Sequence, residues 1–175
     1  MRGHSGHDGP SVLVAGIGNL FLGDDGFGVE VVHRLRRRAV PDGVDVVDYG
    51  IRGVHLAYDL LDEGYATLIL VDALARGEPP GTLTVVEADP AAAADQGPVD
   101  AHSMSPDVVL SALHRLGGRP PRVLVVGCQP AVLDEGMRLS APVAEAVEDA
   151  VRVVAGLAVA ELDRQTPPAR TGARA

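Results

Sequence analysis

The 175-residue sequence has no tryptophan, three tyrosines, two phenylalanines and one cysteine. So few aromatic rings argue against base-stacking platforms and aromatic sugar sites. The single cysteine, Cys128, rules out an internal disulfide framework and any cysteine-rich zinc or iron–sulfur site. Cations are in deficit too. Fifteen Lys and Arg against 24 Asp and Glu give a formal net charge of -9, the wrong sign for a nucleic-acid partner. No apolar run approaches the roughly 20 residues that span a bilayer. The first ten residues are polar, contain His4 and His7, and lack the apolar stretch of a secretory signal. A cytoplasmic protein with no membrane partner is therefore expected, its two early histidines solvated.

What is present is an ordinary globular mix, 46% apolar and 22% charged. The length suits one domain that folds without a disulfide or metal staple. That domain is expected over residues 11–163, between a flexible leader (1–10) and a Pro/Arg/Ala/Thr-rich tail (164–175).

Strand and helix patterns alternate along it. Ser11–Gly18 (SVLVAGIG) is a short apolar run ending in glycine, the form of a buried parallel strand. Gly26–Arg38 has helical apolar spacing, with Arg36–Arg38 in its last turn where cations suit the helix dipole. After the turn Pro41-Asp42-Gly43 come a strand (Val44–Asp48), a helix (Val54–Glu63) stopped by Gly64, and a third buried strand (Ala66–Asp72). Thr82–Ala88 reads as a fourth strand with mixed alternation, suited to a sheet edge. A low-complexity loop follows from Asp89 to Ser103. Ser105 and Pro106 then supply a cap and a first turn for a helix to Leu116. Arg122–Gly127 is the fifth strand, residues 129–139 a loop, and Pro142–Leu162 a long helix. This order predicts a three-layer α/β/α domain whose five-stranded twisted sheet is mostly parallel, with one strand able to run antiparallel at an edge.

In open α/β sheets ligands bind beyond the carboxyl ends of the strands. The loop after the first strand carries Asn19, Asp24 and Asp25; the second strand ends at Asp48, the third at Asp72. Asp25, Asp48 and Asp72 are expected to converge on one rim, and the long loop can return His102 there. Two carboxylates and an imidazole suit nickel, zinc, manganese or ferrous iron. Asp24 and Asp25 read equally well as caps of the next helix. His33, His55 and His114 read as surface or core-edge residues, and Cys128 as a small hydrophobe. Gly16-x-Gly18 invites a dinucleotide reading, but Phe21 stands where the third glycine belongs.

Five motifs in order carry a resemblance. The run Gly16-Ile17-Gly18-Asn19, then Leu22-Gly23-Asp24-Asp25-Gly26-x-Gly28, resembles the opening motif of the nickel–iron hydrogenase maturation endopeptidases. Asp48-x-Gly50, Leu70-Val71-Asp72-Ala73, His102 ahead of its helix, and Val126-Gly127-Cys128-Gln129-Pro130 with Leu139-Ser140-x-Pro142-Val143 are similar to their later motifs. The resemblance implies an endopeptidase that removes the C-terminal extension of a hydrogenase large-subunit precursor after nickel insertion. It implies Asp25, Asp72 and His102 as metal-contacting residues, Asp25 and Asp72 as catalytic carboxylates, and Asn19, Asp48 and Gly50 as substrate-positioning residues. The nickel would come with the precursor, although another divalent metal suits the same site. Asp25 stands where the family often has Glu, and Asp48-Tyr49-Gly50-Ile51 departs from its usual second motif. The alternatives are a non-catalytic metal-dependent docking protein or chaperone for a metalloenzyme precursor, a nucleotide- or flavin-binding protein, and a general metallopeptidase.

Overall fold

A computed structural model describes residues 11–89 and 106–166. Strand β1 (Val12–Ile17) is wholly buried, as a continuous apolar run in a central parallel strand requires. It is flanked by β2 (Val44–Gly50) and β3 (Thr67–Ala73); β5 (Arg122–Cys128) follows β3, and β4 (Leu83–Ala88) closes the edge. The order β2-β1-β3-β5-β4 is parallel except for the antiparallel β4–β5 pair. The expected antiparallel edge strand is therefore β4, and its half-exposed pattern reflects its place at the edge of the sheet.

Side chains alternate across the sheet. Val12, Val14, Ile69 and Val71 pack under α1 (Phe27–Leu35) and α4 (Ala141–Gln165). Leu13, Ala15, Ile17, Leu68 and Leu70 pack under α2 (Gly53–Glu63) and α3 (Pro106–Arg115). Gly64 ends α2 in the left-handed conformation (φ 66°), which glycine adopts without Cβ strain. The α3 helix ends with the Gly118 N–H on the Leu113 carbonyl. A short connection then leads into β5. This sets α3 antiparallel to β5, with Pro106 toward the carboxyl rim of the sheet.

Several expected boundaries move. The first helix is shorter than expected: a 3-10 turn (Gly23–Gly26) precedes α1, and Arg36–Arg38 lie beyond its last residue. Strand β2 continues through Gly50. The last helix runs on to Gln165, so Arg164 and Gln165, expected in the tail, are helical. Their place is fixed by polar contacts at the opposite rim. The Ser11 N–H donates to Gln165 Oε1 at 2.8 Å, Gln165 Nε2 donates to Thr67 Oγ1 at 2.9 Å, and the Thr67 hydroxyl donates to buried Glu161 at 3.0 Å. The leader, the Ser105 cap and His102 lie outside the described residues.

The glycines of the opening motif bring backbone against backbone. A Cβ on Gly28 would lie 2.0 Å from the Val71 carbonyl oxygen and 2.5 Å from that of Ile17; one on Gly16 would meet the Gly28 oxygen at 2.5 Å. The start of α1 thus rests directly on β1 and β3. We expect Gly28→Ala to destabilise the protein by about 3 kcal/mol, the upper range for overpacking. Gly156→Ala, on an open face of α4, should stabilise by about 0.5–1 kcal/mol. Urea unfolding midpoints check both.

Candidate active site

The chain leaves β1 for β2 on one side and returns to β3 on the other, so the sheet has its topological switch point between β1 and β3. Crevices form at such points beyond the strand ends. Asp72 is the penultimate residue of β3, and Asp25 lies in the 3-10 turn after β1. Asp25 is fixed from two sides. Its Oδ2 accepts the Asn19 N–H at 2.7 Å, and its carbonyl lies where a Cβ on Gly18 would be, 1.8 Å away. Only glycine, here at φ 129°, allows that approach.

Asp72 is 8% exposed. Burial and the neighbouring Asp25 charge push its carboxyl up to about 8, and the Ala73 backbone N–H offsets this only in part. Asp25 therefore lies close enough to Asp72 for its charge to act on that carboxyl. Among the described residues no three His, Cys, Asp or Glu side chains gather around one point; the third expected ligand, His102, lies outside them.

Asp48 does not join the pair. In the register it is level with Gly16, and Gly16 with Val71. Side chains alternate, so Asp48 shares the α1 face with Val71 while Asp72 turns to the opposite face. Its Oδ2 lies 2.8 Å from His33 Nε2 on α1. The expected convergence of three carboxylates is thus reduced to two. The partner that draws Asp48 away is a histidine that reads in the sequence as a surface or core-edge residue. Asn19 shapes its own loop, its Oδ1 accepting the Phe21 N–H at 2.9 Å. Gly50 ties the first two motifs together through the Gly18 N–H on its carbonyl, at 3.0 Å.

Asp24 departs most from expectation. It is fully buried and caps neither the 3-10 turn nor α1. Its Oδ2 accepts the Ala131 and Val132 N–H groups and the Ser140 hydroxyl, each at 2.8 Å, and its Oδ1 accepts the Ser140 N–H at 2.6 Å. Burial raises its pKa, but these four donors outweigh burial and hold the carboxyl below the ordinary value. Nothing local in the sequence marks these partners, which lie more than a hundred residues away. Cys128 is buried, its thiol pushed up to about 11 by burial and by Asp24, which fits an inert apolar role.

Large apolar side chains stand exposed on the loops at this rim: Leu20, Phe21 and Ile51, and across from them Val132, Leu133 and Met137. Exposed apolar groups of this size mark surfaces that meet another macromolecule.

A family model for hydrogenase maturation proteases matches residues 29–157. The chain belongs to the hydrogenase maturation protease family. Asp72 and His102 fall inside the matched span and Asp25 just before it. The chain is 37% identical over 158 residues to the hydrogenase expression/formation protein HupD of Rhizobium leguminosarum, covering 86% of this chain and 77% of that one. It is 31% identical over 145 residues to the hydrogenase 2 maturation protease of Escherichia coli, covering 82% and 87%. The solved structure of the hydrogenase maturating endopeptidase HybD from E. coli superposes with a TM-score of 0.68 at 28% identity, over 84% of this chain and 91% of that one. The protein is thus a peptidase of this family with its single α/β domain, and the nucleotide- and flavin-binding readings fall away.

The Asp72 carboxyl gives a pH prediction. Its folded pKa, about 8, lies above the ordinary 3.8, so between those values the native state holds a proton that the unfolded chain has released. Stability contributed by this group is therefore fully present below about pH 3.8, lost progressively as pH rises from there to about 8, and unchanged above that. Asp72→Asn should flatten that decline. At pH 8.5 it should stabilise the metal-free protein by at least about 1.4 kcal/mol, the worth of one pKa unit. Thermal unfolding across pH 5–9 checks it.

Proposed function

We propose that this protease acts in the cytoplasm on the nickel-loaded precursor of a hydrogenase large subunit. It removes the C-terminal extension at a site formed by Asp25, Asp72 and His102. The observation that carries the reading is the Asp25–Asp72 pair at the switch point of a chain belonging to this family. Two carboxylates near enough to interact, one of them desolvated, have no cation to balance them within the pair. Such a donor set gains most from a divalent ion brought by the substrate. The placing of α3, with Pro106 toward the same rim, supports His102, four residues earlier in the chain, as the third ligand.

The nickel belongs to the substrate. Its chemistry there is that of a Lewis acid and an anchor, able to polarise a carbonyl and to hold the precursor's C-terminal region against the site. Orientation of that kind lowers a barrier by several kcal/mol. The chain's own groups handle the protons. Asp72 keeps a proton at neutral pH and must give it up before it can serve as ligand or base. Asp25, anchored by the Asn19 N–H, is the other candidate base for the attacking water. The route needs no acyl-enzyme, in keeping with Cys128 being buried and inert. Asn19 and Gly50 hold the rim loops in register for the incoming chain, and Asp48 supports that rim from the α1 face.

The test is a cleavage assay on a hydrogenase large-subunit precursor bearing its C-terminal extension, with and without nickel, read by mass spectrometry. Cleavage only of the nickel-loaded form is expected. Nickel-independent cleavage would point to a general metallopeptidase, and binding without cleavage to a docking protein. Asp72→Asn and His102→Ala should stay folded by circular dichroism and lose at least about 100-fold in rate, the lower range for an acid–base group. Normal processing by either variant would remove that residue from the site.

A further inference from the structure

Asp24 sits next to Asp25 in the chain, yet its carboxylate is spent wholly on the β5–α4 loop. Three further backbone bonds run between the same two segments. The Asp24 N–H donates to Val132 O at 2.9 Å, the Gly23 N–H to Gly136 O at 2.8 Å, and the Gly136 N–H to Phe21 O at 2.9 Å. Ser140 occupies the N-cap position of α4, but its side chain makes no capping bond to that helix. Its hydroxyl donates to Asp24 instead. A favourable cap, worth about 1 kcal/mol in other helices, has been redirected to hold a loop.

The held loop encloses a cleft of about 530 Å³ that opens beside the opening-motif loop. Its lining includes Gly23, Val132, Glu135, Met137, Arg138 and Ser140. Gly23 and Ser140 each take part in the bonds that join the two loops, so the cleft has its shape only while the Asp24 clamp is closed. Met137 is 73% exposed at its edge and Val132 44%. A cleft of this size, lined by apolar side chains and by both charge signs, suits a segment of polypeptide better than a small ion.

We propose that Asp24 is a positioning residue for the substrate chain: it fixes residues 131–140 as the wall of a cleft that receives a polypeptide segment of the precursor beside the opening-motif loop. The inference rests on the precursor-cleaving reading above. Asp24 contacts no reacting group in it. Its effect passes through the loop, and so falls on substrate binding.

Asp24→Asn would set an amide N–H against donors and is liable to misfold, so the decisive variants are milder. Ser140→Ala removes one hydrogen bond to a charged acceptor, and Ser140→Thr keeps the hydroxyl. Met137→Glu alters the cleft edge without touching the clamp. Each is assayed on the nickel-loaded precursor under conditions where circular dichroism shows it folded. Ser140→Ala should raise KM about tenfold with kcat little changed, as expected for lost substrate binding. Ser140→Thr should restore the parent KM, and Met137→Glu should raise KM as Ser140→Ala does. A purely structural clamp would lower the melting temperature and leave the KM of folded enzyme untouched. Unchanged KM in both Ser140→Ala and Met137→Glu overturns the proposal while leaving the protease reading intact. A parent enzyme that leaves the precursor uncut overturns that reading, and this inference with it.

Discussion

The start of α1 rests on the sheet with no side chain in between. Gly28 lies against the carbonyl oxygens of Val71 and Ile17, and Gly16 against Gly28 and Val32. The rest of the rim follows from that contact. With the helix this close, the residues between β1 and α1 cannot spread over the surface and are folded into a tight 3-10 turn above the strand ends. That turn sets Asp25 over the gap between β1 and β3, beside the end of the strand that carries Asp72. A single methyl group at Gly28 would have to push the helix off the sheet, and the two carboxylates would part. The glycines of the opening motif therefore act by letting backbone approach backbone.

Two buried aspartates, Asp24 and Asp72, show how partners decide the state of a carboxylate. Asp24 is removed from water entirely, yet four donors meet it and its charged form is favoured. Asp72 is removed almost as far, has one backbone N–H, and faces the charge of Asp25, so its neutral form is favoured to about pH 8. Desolvation is common to both; the supply of donors differs. A satisfied carboxylate is a structural anchor with nothing left to offer. An unsatisfied one stores a preference for any cation that arrives, and this separates the residue that shapes the site from the residue suited to act in it.

Much of the architecture is legible in the sequence because its signals are local. The buried run 12–17, the glycine after α2 and the mixed pattern of 83–88 each report on their own segment, and together they imply the layers, the parallel core and the antiparallel edge. The pairing of Asp25 with Asp72 is legible for a related reason: both follow from strand ends, and strand ends share a rim. Asp24 is different. Its donors lie on the far side of the sequence, and an acidic residue ahead of a helix reads as a cap unless the chain's return path is known. Asp48 fails to converge because of a parity that no motif shows. Being level in the sheet with Val71 and not with Asp72 puts it on the other face, where His33 takes it up. The extra residues of α4 escape notice because Gln165 is held by Ser11 and Thr67, contacts across more than ninety residues.

The two faces of the sheet divide the work at the rim. On the α1 and α4 face the polar groups are paired with one another: Asp48 with His33, and Asp24 with the loop that leads into α4. On the α2 and α3 face Asp72 is left without a side-chain partner among its described contacts, and around the rim Phe21, Ile51, Leu133 and Met137 project into solvent. A domain folding for stability alone would pair that acid and cover those side chains. Among the described residues both stand open on one rim, above a backbone held by glycine contacts and by the Asp24 clamp. Under the function proposed above, the precursor would cover the projecting side chains and its metal would balance the acids.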